Sequence, residues 1–535
     1  MQQFPLLSIP KKEKYLLLGV IFFIAAAAYG NSIGGSFHYD DYHSIVLNSN
    51  IKDIRNIPRF FINDHMGSGD PRGDGGYRPV VTTSLAVNYL VSGIAPWSYH
   101  LLNLILHCAV VFAVFLLSDY FIQQSGGPWW SAFLPALLFA LNPVQTNAVS
   151  YVIARSAILC TLFYALSFYF YLRFREGSRG GMLAASSLSF VMALLSKEIA
   201  ITLPVILFLY ELLISKKKGA QRFVIPSVFL TVAGGYAGAR LLMLSDVGNK
   251  GPLLNTSGRF FAIPWLVVNY LKKLIFPVGL NFFPVTPKVE GFFTPNFLFP
   301  LAILAASAAI IILLSHGRKQ AVFFMLWFLV ALMPELILNL REQMVEYRLY
   351  LPSVGPIVLL GVAASRSNKN YLMKAALTAA IASCFFTLTL KRNEVYRDDV
   401  SLWSDAANKS PQSALVRAYL GVSLLKSKHY ADAAKWLSSA TKMDPQLPGA
   451  GGHFNNLGLA YENMGENMKA YEAYFKALTI SPDDPVILKN MGRLCLKAGM
   501  RDEARKYLLR ALRINPHDIE VKAALVSING GSEGT

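Results

Sequence analysis

Residues 15–43 read YLLLGVIFFIAAAAYGNSIGGSFHYDDYH, an apolar run from Tyr15 to Tyr29 followed by two adjacent aspartates, Asp40 and Asp41. The run is close to the length of about twenty residues that a helix needs to cross a bilayer. Adjacent carboxylates repel each other, and a pair beside a membrane binds a proton, a cation or a basic ligand unless it forms a solvated loop. The stretch therefore predicts a first membrane span that places an acidic pair at one membrane face.

The composition of the whole chain is that of a membrane protein. Of its 535 residues, 54% are hydrophobic and 15% are charged, whereas about a quarter of the residues in soluble domains are charged. The formal net charge of +18 is compatible with nucleic-acid binding. However, Lys and Arg are concentrated in short clusters beside apolar segments, which is typical of cytoplasmic loops. We therefore expect membrane lipids and no nucleic acid among the partners.

Eleven apolar segments are candidate membrane spans. They are residues 14–30, 99–122, 129–142, 156–174, 182–196, 199–214, 223–244, 297–315, 320–338, 349–365 and 371–390. A further segment, 258–277, contains Lys272 and Lys273, and it decides the orientation of everything that follows. If it lies along the surface as an amphipathic helix, the basic clusters at 316–319 and 366–374 fall on the cytoplasmic side, where positive charge is preferred. The sequence thus predicts about eleven crossings, with the N-terminus inside and the C-terminus outside.

Under this topology, polar clusters from five separate loops lie on the extracytoplasmic face. Ionisable residues at span ends, gathered on one face, suggest a site for a charged substrate at the membrane surface. Single members also have local explanations: Arg155 extends its charge towards the interface, Lys197 pairs with its neighbour Glu198, and Arg348 pairs with Glu346. The combined arrangement favours the shared site.

After Lys391 the composition changes and an internal repeat appears. Each copy has a glycine, an alanine twelve residues later and a proline after a further twelve: Gly421–Ala433–Pro445, Gly458–Ala470–Pro482 and Gly492–Ala504–Pro516. A period near 34 residues with these features is the tetratricopeptide pattern. Small residues let the paired helices approach closely, and the proline stops the second helix. The sequence predicts an α-solenoid over residues 396–530, with a starting cap around Trp403 and a closing helix over 519–528.

The repeats suggest a binding role. Three stacked repeats are enough to fold and to present a groove. That groove is either a plain scaffold or a site for an extended or helical peptide, and we favour peptide or partner binding. The predicted fold is therefore all-α. A membrane helix bundle over residues 1–395, with an extracytoplasmic loop over 31–98 and an interfacial helix over 258–277, precedes the repeat domain.

The membrane half resembles the GT-C type of membrane glycosyltransferases that use polyprenyl-phosphate sugars. It is most similar to their tetratricopeptide-bearing branch, which is related to protein O-mannosyltransferases. The resemblance covers nearly the whole chain in the same order, and its motifs are Tyr39–Asp41, Tyr77–Pro79, Tyr99–Leu104 with His107, Phe139–Val149 with Arg155, Leu194–Glu198 with Leu203–Pro204, and Tyr347–Ser353. The family often carries histidines where this chain has Asn142 and Gln145, and a glutamate where it has Asn147. We expect only hydrogen bonding from these three positions.

The resemblance implies an activity and a set of site residues. A sugar would move from a polyprenyl-phosphate donor to an acceptor hydroxyl, with protein Ser or Thr favoured, by inverting direct displacement. Asp40 would be the catalytic base, and Asp41 would steer Asp40, hold the sugar or bind a divalent cation such as Mg²⁺ or Mn²⁺. Arg78, Arg155, Lys197 and Arg348 are the candidates for binding the phosphate, with Arg78 and Arg348 preferred because a guanidinium can bind phosphate bidentately. The supporting positions are His100, Asn142, Glu198, Glu346 and Tyr350.

Two other functions stay open at this point. A transporter or flippase would place ionisable residues near mid-bilayer and carry an inverted repeat. A non-enzymatic scaffold would use the repeats as its working part and the membrane half as an anchor. We expect an integral protein of a bacterial inner membrane with the repeats, and an acceptor peptide in their groove, in the periplasm. In a eukaryote the equivalent place is the endoplasmic reticulum membrane with lumenal repeats.

Overall fold

The computed structural model describes residues 11–68, 76–177, 180–244, 258–287, 289, 291–314, 318–338, 342, 344–366 and 371–530. All regular elements in these ranges are helices. The chain divides into two compact units, Met1–Phe282 with Thr286–Asp398 and Phe283–Val285 with Asp399–Thr535. The division after Asp398 lies close to the predicted boundary at 395.

The first unit is a bundle of fifteen α-helices within the described residues, joined by loops, short 3₁₀ turns and one π-helical turn at Tyr42–Val46. The helices are α1 Lys11–Tyr29, α2 Ile57–Phe60, α3 Pro79–Ser92, α4 Trp97–Gln124, α5 Phe133–Leu141, α6 Thr146–Ser150, α7 Arg155–Arg175, α8 Gly181–Leu194, α9 Leu203–Leu213, α10 Val224–Leu244, α11 Gly258–Ile275, α12 Pro295–Leu314, α13 Arg318–Ile337, α14 Val354–Arg366 and α15 Tyr371–Val395.

Seven of the described helices are long and apolar enough to cross a membrane: α1, α4, α7, α10, α12, α13 and α15. An eighth span results if the segments containing α5 and α6, bent by 48°, count as one. The remaining predicted spans coincide with α8, α9 and α14, which are shorter. Each of the eleven predicted segments is thus helical, and the polytopic all-α architecture is confirmed. Helix α11 is not among these candidate spans, and its place along the membrane surface stays a prediction.

Ion pairs between helix termini define one end of the bundle. Lys14, near the start of α1, lies 3.2 Å from Asp119 near the end of α4. Arg175, the last residue of α7, lies 2.7 Å from Glu211 near the end of α9. The hydroxyls of Tyr120 in α4 and Tyr210 in α9 lie 3.2 Å apart, so α1 starts at the end of the bundle where α4, α7 and α9 finish. The helices therefore run in the alternating directions that successive crossings require.

The opposite end of the bundle holds the other termini. Lys197, just after α8, pairs with Glu335 near the end of α13. Lys273, in the last turn of α11, pairs with Glu346 in the loop before α14 at 2.9 Å. This end therefore contains the residues that the sequence assigned to the extracytoplasmic face, and α11 packs against it.

The predicted loop 31–98 is a folded cap in its described parts. It contains α2, α3 and several shorter turns. A hydrophobic cluster separate from the main core includes Phe37, Ile45, Phe60 and Leu85 of this cap together with Val152 and Leu159 of the bundle. Helix α3, which the sequence analysis did not predict, contributes Val80, Val81, Leu85 and Ala86 to this cluster. The cap is thus packed around a core and holds the acidic pair in a fixed place.

The second unit consists of paired helices with the predicted repeat. They are α16 Asp399–Lys409, α17 Ala414–Lys426, α18 Tyr430–Met443, α19 Ala450–Asn463, α20 Asn467–Ile480, α21 Pro485–Lys497, α22 Arg501–Ile514 and α23 Ile519–Gly530. The repeat alanines of α18, α20 and α22 are fully buried. The tetratricopeptide architecture, with a helix capping each end, is confirmed.

The repeat glycines are needed for close approach of the paired helices. A Cβ atom added at Gly458 would lie 2.6 Å from the ring of Tyr474 in the partner helix, and one at Gly421 would lie 2.6 Å from Leu437. Real Cβ contacts are essentially never shorter than 3.0 Å. By contrast, a Cβ at Gly452 in α19 would meet no atom within 4 Å.

We therefore expect Gly458→Ala to destabilise the repeat unit by about 1–3 kcal/mol, because the added methyl group overpacks the helix pair. Gly452→Ala, in the same helix, should stabilise it by about 0.4–1 kcal/mol through the lower entropy of the unfolded chain. Denaturant unfolding of the full chain in detergent, followed by circular dichroism, measures both changes. Equal effects of the two substitutions would show that close packing at Gly458 does not matter.

Candidate active site

The two aspartates of the acidic pair have different environments. Asp40 is exposed, whereas Asp41 is fully buried. The two carboxylate oxygens of Asp41 accept backbone N–H groups from His38 at 3.0 Å and from Ile153 at 2.8 Å. Asp41 thereby anchors its loop to the turn that precedes α7. The backbone of Asp40 faces the same turn, and its side chain faces the accessible surface.

The backbone at the pair is strained. Tyr39 has φ of +45°, a left-handed conformation that non-glycine residues rarely adopt. Such strain costs about 1–3 kcal/mol and persists where surrounding contacts impose it. The N–H of Asp40 donates to the hydroxyl of Tyr151 at 3.2 Å, and the Tyr39 and Tyr151 rings both contact Phe282. These contacts fix the backbone of Asp40 and thereby the position of its side chain.

Burial raises the pKa of Asp41 to about 7, although the N–H groups of His38 and Ile153 favour its charged form. The folded protein thus holds this proton more tightly than the unfolded chain, where the ordinary pKa is 3.8. Stability contributed by Asp41 is therefore complete below about pH 4 and falls as the pH rises to about 7.

We expect Asp41→Asn to flatten the stability curve across this interval, since asparagine does not titrate. The difference in unfolding free energy between wild type and variant should change by at least about 1 kcal/mol over the interval. Thermal unfolding temperatures measured at several pH values give this difference. Parallel curves for the two proteins would contradict the assignment of a raised pKa to Asp41.

A band of charged residues lies at the same end of the bundle and has a repeated pattern. Three carboxylates, each from a different segment, lie between two cations apiece. Glu198 lies 3.0 Å from Arg78 and 3.5 Å from Arg240. Glu335 lies 2.5 Å from Lys197 and 2.9 Å from Arg348, and Glu346 lies 2.9 Å from Lys273 and 3.4 Å from Arg392. Six cations thus surround three carboxylates, which leaves three positive charges in excess.

The observed partners differ from those expected from sequence neighbours. Lys197 does not pair with the adjacent Glu198, because its ammonium group reaches Glu335 and lies 4.9 Å from the ring centre of Tyr347. Arg348 likewise pairs with Glu335 and not with Glu346. Both local-pair interpretations are wrong, since the bundle brings together residues from distant segments.

Direct contacts connect the acidic pair with the charged band. His38 lies 2.9 Å from the carbonyl oxygen of Tyr396, and the Tyr396 hydroxyl accepts the side-chain amide of Asn147 at 2.7 Å. The amide oxygen of Asn147 accepts the N–H of Tyr347 at 2.9 Å, and Arg348 is the next residue. Asp40 and Arg348 therefore lie at the same end of the bundle.

A second connection runs through Tyr151. Burial raises the pKa of the Tyr151 hydroxyl, and nearby Asp40, Asp41 and Tyr347 raise it further. Tyr151 thus lies near the acidic pair and near Tyr347, the residue before Arg348. The acidic pair and the charged band form a continuous polar region.

Arg155 does not join the charged band. Its guanidinium is fully buried and donates to Asn103 at 2.6 Å, to Ser84 at 3.1 Å and to the carbonyl oxygen of Tyr99 at 2.9 Å. Three helices, α3, α4 and α7, are joined by these bonds. The arrangement is that of a framework residue, and the simple snorkelling explanation is also wrong because the group does not reach water.

The remaining supporting positions are buried. Asn142 accepts the N–H of Val144 and donates to the carbonyl of Leu274 in α11 at 3.0 Å. The hydroxyl oxygen of Tyr350 lies 2.5 Å from Nδ1 of His107. His100 is completely buried beneath the Gly35 backbone. Each of these residues lies in the interior behind the site and presents no group to the accessible surface.

Four charged members of the band were missed by the sequence analysis: Glu335, Arg240, Lys273 and Arg392. A signal existed for two of them, because Glu335 and Arg240 are single charges near the ends of otherwise apolar segments, where ionisable residues are costly. Lys273 was noticed only as a headgroup anchor. Across the described residues, no group of three His, Cys, Asp or Glu side chains is arranged to hold a metal ion, and metal binding at Asp41 stays a prediction.

The repeat unit has a cavity of about 510 Å³ between the first helices of its second and third repeats. Its lining residues are Leu459, Glu462, Asn463, Arg493 and Lys497. Glu462 accepts from the Tyr474 hydroxyl at 2.9 Å and from Arg493 at 3.1 Å. The cavity therefore presents aliphatic, amide and charged groups together.

The fold and the polar region define a class of protein: a polytopic helical membrane protein with a charged site at one end of its bundle and a tetratricopeptide unit. A family model described as "Tetratricopeptide repeat" matches residues 464–528. The chain is similar in sequence to the protein O-mannosyl-transferases named TMTC, which confirms the resemblance to that group.

Several curated relatives carry this name. TMTC3 of Mus musculus is 26% identical over 524 residues, which cover 88% of this chain and 55% of the relative. Human TMTC1 is 25% identical over 501 residues, covering 82% of this chain and 56% of the relative. Tmtc1 of Drosophila melanogaster is 31% identical over 181 residues, or 34% and 21% of the two chains. The chain spans about half the length of the two mammalian relatives.

A solved structure, that of ArnT from Cupriavidus metallidurans bound to undecaprenyl phosphate, aligns with 86% of this chain and 80% of its own. The sequences are 13% identical and the TM-score is 0.41. A likeness at that level does not establish a common fold.

Proposed function

We propose that this protein is a membrane glycosyltransferase that moves a sugar from a polyprenyl-phosphate donor to a hydroxyl of a protein, with Ser or Thr as acceptor. The observation that carries the proposal is the continuous polar region. An exposed carboxylate on a fixed loop is connected by direct contacts to a band of charges with an excess of three cations. The homology to protein O-mannosyl-transferases over most of the chain supports the same conclusion.

Asp40 is the group that we assign as catalytic base. The acceptor hydroxyl attacks the anomeric carbon, its proton passes to the Asp40 carboxylate, and the bond between the anomeric carbon and the phosphate oxygen breaks. One displacement of this kind inverts the anomeric centre. Asp40 suits the role because it is exposed, whereas both oxygens of Asp41 are occupied by backbone N–H groups. We assign Asp41 to positioning Asp40.

The charged band stabilises the departing phosphate in this proposal. A phosphodiester with one negative charge becomes a phosphate monoester with nearly two, so positive charge fixed in advance lowers the barrier. Arg78 and Arg348 can each offer a planar guanidinium. Lys197 adds an ammonium group that shares Glu335 with Arg348 and lies over the ring of Tyr347. The charges lie at helix ends and not in the middle of spans, which favours transfer at the surface over transport through the bundle.

The acceptor peptide is proposed to bind the tetratricopeptide repeats. The cavity lined by Leu459, Asn463 and Arg493 offers both apolar and hydrogen-bonding contacts to an extended chain. The extracytoplasmic face is the proposed side for the site and the repeats, in a bacterial inner membrane or in the endoplasmic reticulum membrane of a eukaryote.

Purified protein incubated with a polyprenyl-phosphate hexose and a Ser/Thr-containing peptide tests the function. We expect release of polyprenyl phosphate together with a peptide that has gained one hexose in mass. A non-enzymatic scaffold would bind the peptide and release no lipid phosphate, and a flippase would move the donor across vesicles without modifying the peptide.

A further inference from the structure

The three carboxylates of the charged band differ in their access to solvent. The side chains of Arg78 and Glu198 are 27% and 26% exposed, and that of Arg240 is 17% exposed. Around Glu335 and Glu346, the six side chains are between 1% and 13% exposed. An anion arriving from the surface therefore reaches the group of Arg78, Glu198 and Arg240 first.

Arg240 comes from the last turns of α10 and is held in place by neutral groups as well as by Glu198. Its Nη1 donates to the Tyr236 hydroxyl at 3.0 Å and to the carbonyl oxygen of Tyr77 at 3.4 Å, and lies 3.5 Å from Glu198. The backbone of Tyr77 leads directly to Arg78. One side of α10 thus places a second guanidinium next to Arg78, from a helix that carries no motif of the resemblance.

We propose that Arg78 and Arg240 bind the phosphate group of a lipid phosphate ester, and that Glu198 is a resident counter-charge which this phosphate displaces. The inference rests on the proposed function for the role of the lipid phosphate, and it adds Arg240 and Glu198 as specific participants.

The chemistry of displacement follows from the ion pairs. Arg78 holds Glu198 through two nitrogens, at 3.0 and 3.4 Å, in the bidentate geometry that a phosphate can adopt equally well. Burial alone would raise the pKa of Glu198, but the attraction of Arg78, Arg240 and Lys197 lowers it, so the carboxylate is charged at neutral pH. A phosphate and a charged Glu198 repel each other, and they compete for the same two guanidinium groups.

This competition predicts opposite effects for the two kinds of substitution. Arg240→Gln removes an attractive partner and should weaken binding of farnesyl phosphate about tenfold or more. Glu198→Gln removes the competitor and should tighten the binding several-fold. Arg240→Lys keeps the charge but lacks the planar guanidinium, so its affinity for farnesyl phosphate should lie between those of the wild type and Arg240→Gln.

The test is calorimetric titration of the full detergent-solubilised chain with farnesyl phosphate, and separately with inorganic phosphate. Arg222→Gln is the matched control, because Arg222 lies before the first turn of α10 and bonds to the carbonyl oxygen of Lys217. It should leave the affinity unchanged. Unfolding temperatures of all variants establish that they are folded.

Three results would overturn the inference. Weaker binding in Glu198→Gln would mean that the carboxylate supports the subsite and does not compete for it. An affinity in Arg240→Gln equal to that of the control would remove Arg240 from the subsite. Equal affinity of the wild type for inorganic and farnesyl phosphate would contradict a lipid ligand. The titrations contain no sugar, so they test phosphate binding separately from catalysis. If the affinities are as expected but no hexose is transferred, the proposed function is rejected and the phosphate subsite is retained.

Discussion

Asp40→Asn should lower hexose transfer by about 10²- to 10⁴-fold, the range typical of removing a positioned general base. Asparagine keeps the shape of the side chain but cannot accept the hydroxyl proton. Because Asp40 is exposed, the substitution should leave the unfolding temperature and the affinity for a lipid phosphate close to those of the wild type. Turnover of a polyprenyl-phosphate hexose, measured beside lipid binding, separates the chemical step from binding.

Asp41→Asn is the informative comparison for this experiment. Both carboxylate oxygens of Asp41 accept backbone N–H groups, and an asparagine would turn its NH₂ group towards one of them. An unmet buried donor costs about 1–3 kcal/mol, so this variant should lose stability as well as activity. Near wild-type turnover in Asp40→Asn would remove Asp40 as the base.

Glu335→Gln should destabilise the membrane unit by about 3–5 kcal/mol, the cost of leaving a buried charge without its counter-ion. Glu335 is the shared partner of Lys197 and Arg348, whose side chains are only 5% and 4% exposed. Neutral glutamine would leave two nearly buried cations facing each other. Thermal unfolding in detergent, or the yield of folded protein when unfolding is irreversible, measures the loss.

The control for this prediction is Glu466→Gln in the repeat unit. Glu466 pairs with Lys469, and the two side chains are 47% and 58% exposed. Exposed ion pairs contribute at most about 1 kcal/mol, so this variant should be nearly as stable as the wild type. Similar unfolding temperatures for the two variants would mean that Glu335 is solvated and not buried.

The repeats and the membrane helices were predictable because local sequence determines them. A glycine that must approach a neighbouring helix, as Gly458 approaches Tyr474, recurs at the same place in each repeat, and that spacing can be counted. Apolar runs of the length of a bilayer are equally local. Helix α3 escaped prediction because residues 31–98 were assigned to a loop, and its 14 residues are stabilised by packing inside the cap and not by any periodic signal.

The partners within the site could not be predicted from sequence proximity. Lys197 and Glu335 are 138 positions apart, whereas Glu198 stands next to Lys197 and suggested itself as the partner. Adjacent residues in an extended or turning segment point in different directions, so the tertiary fold decides which charges meet. Arg155 shows the same limit: its charge suggested phosphate binding, but Asn103 and Ser84 engage it inside the bundle.

The pattern of one acid between two bases has a consequence for natural variation in this protein. When a single arginine or lysine of the band is lost, its carboxylate still has the other cation, so the fold has a built-in reserve against drift at basic positions. Loss of a glutamate has no such reserve, because two like charges are exposed to each other at once. Harmful substitutions in the buried part of this band should therefore occur at Glu335 and Glu346, whereas Lys273 and Arg392 should tolerate replacement.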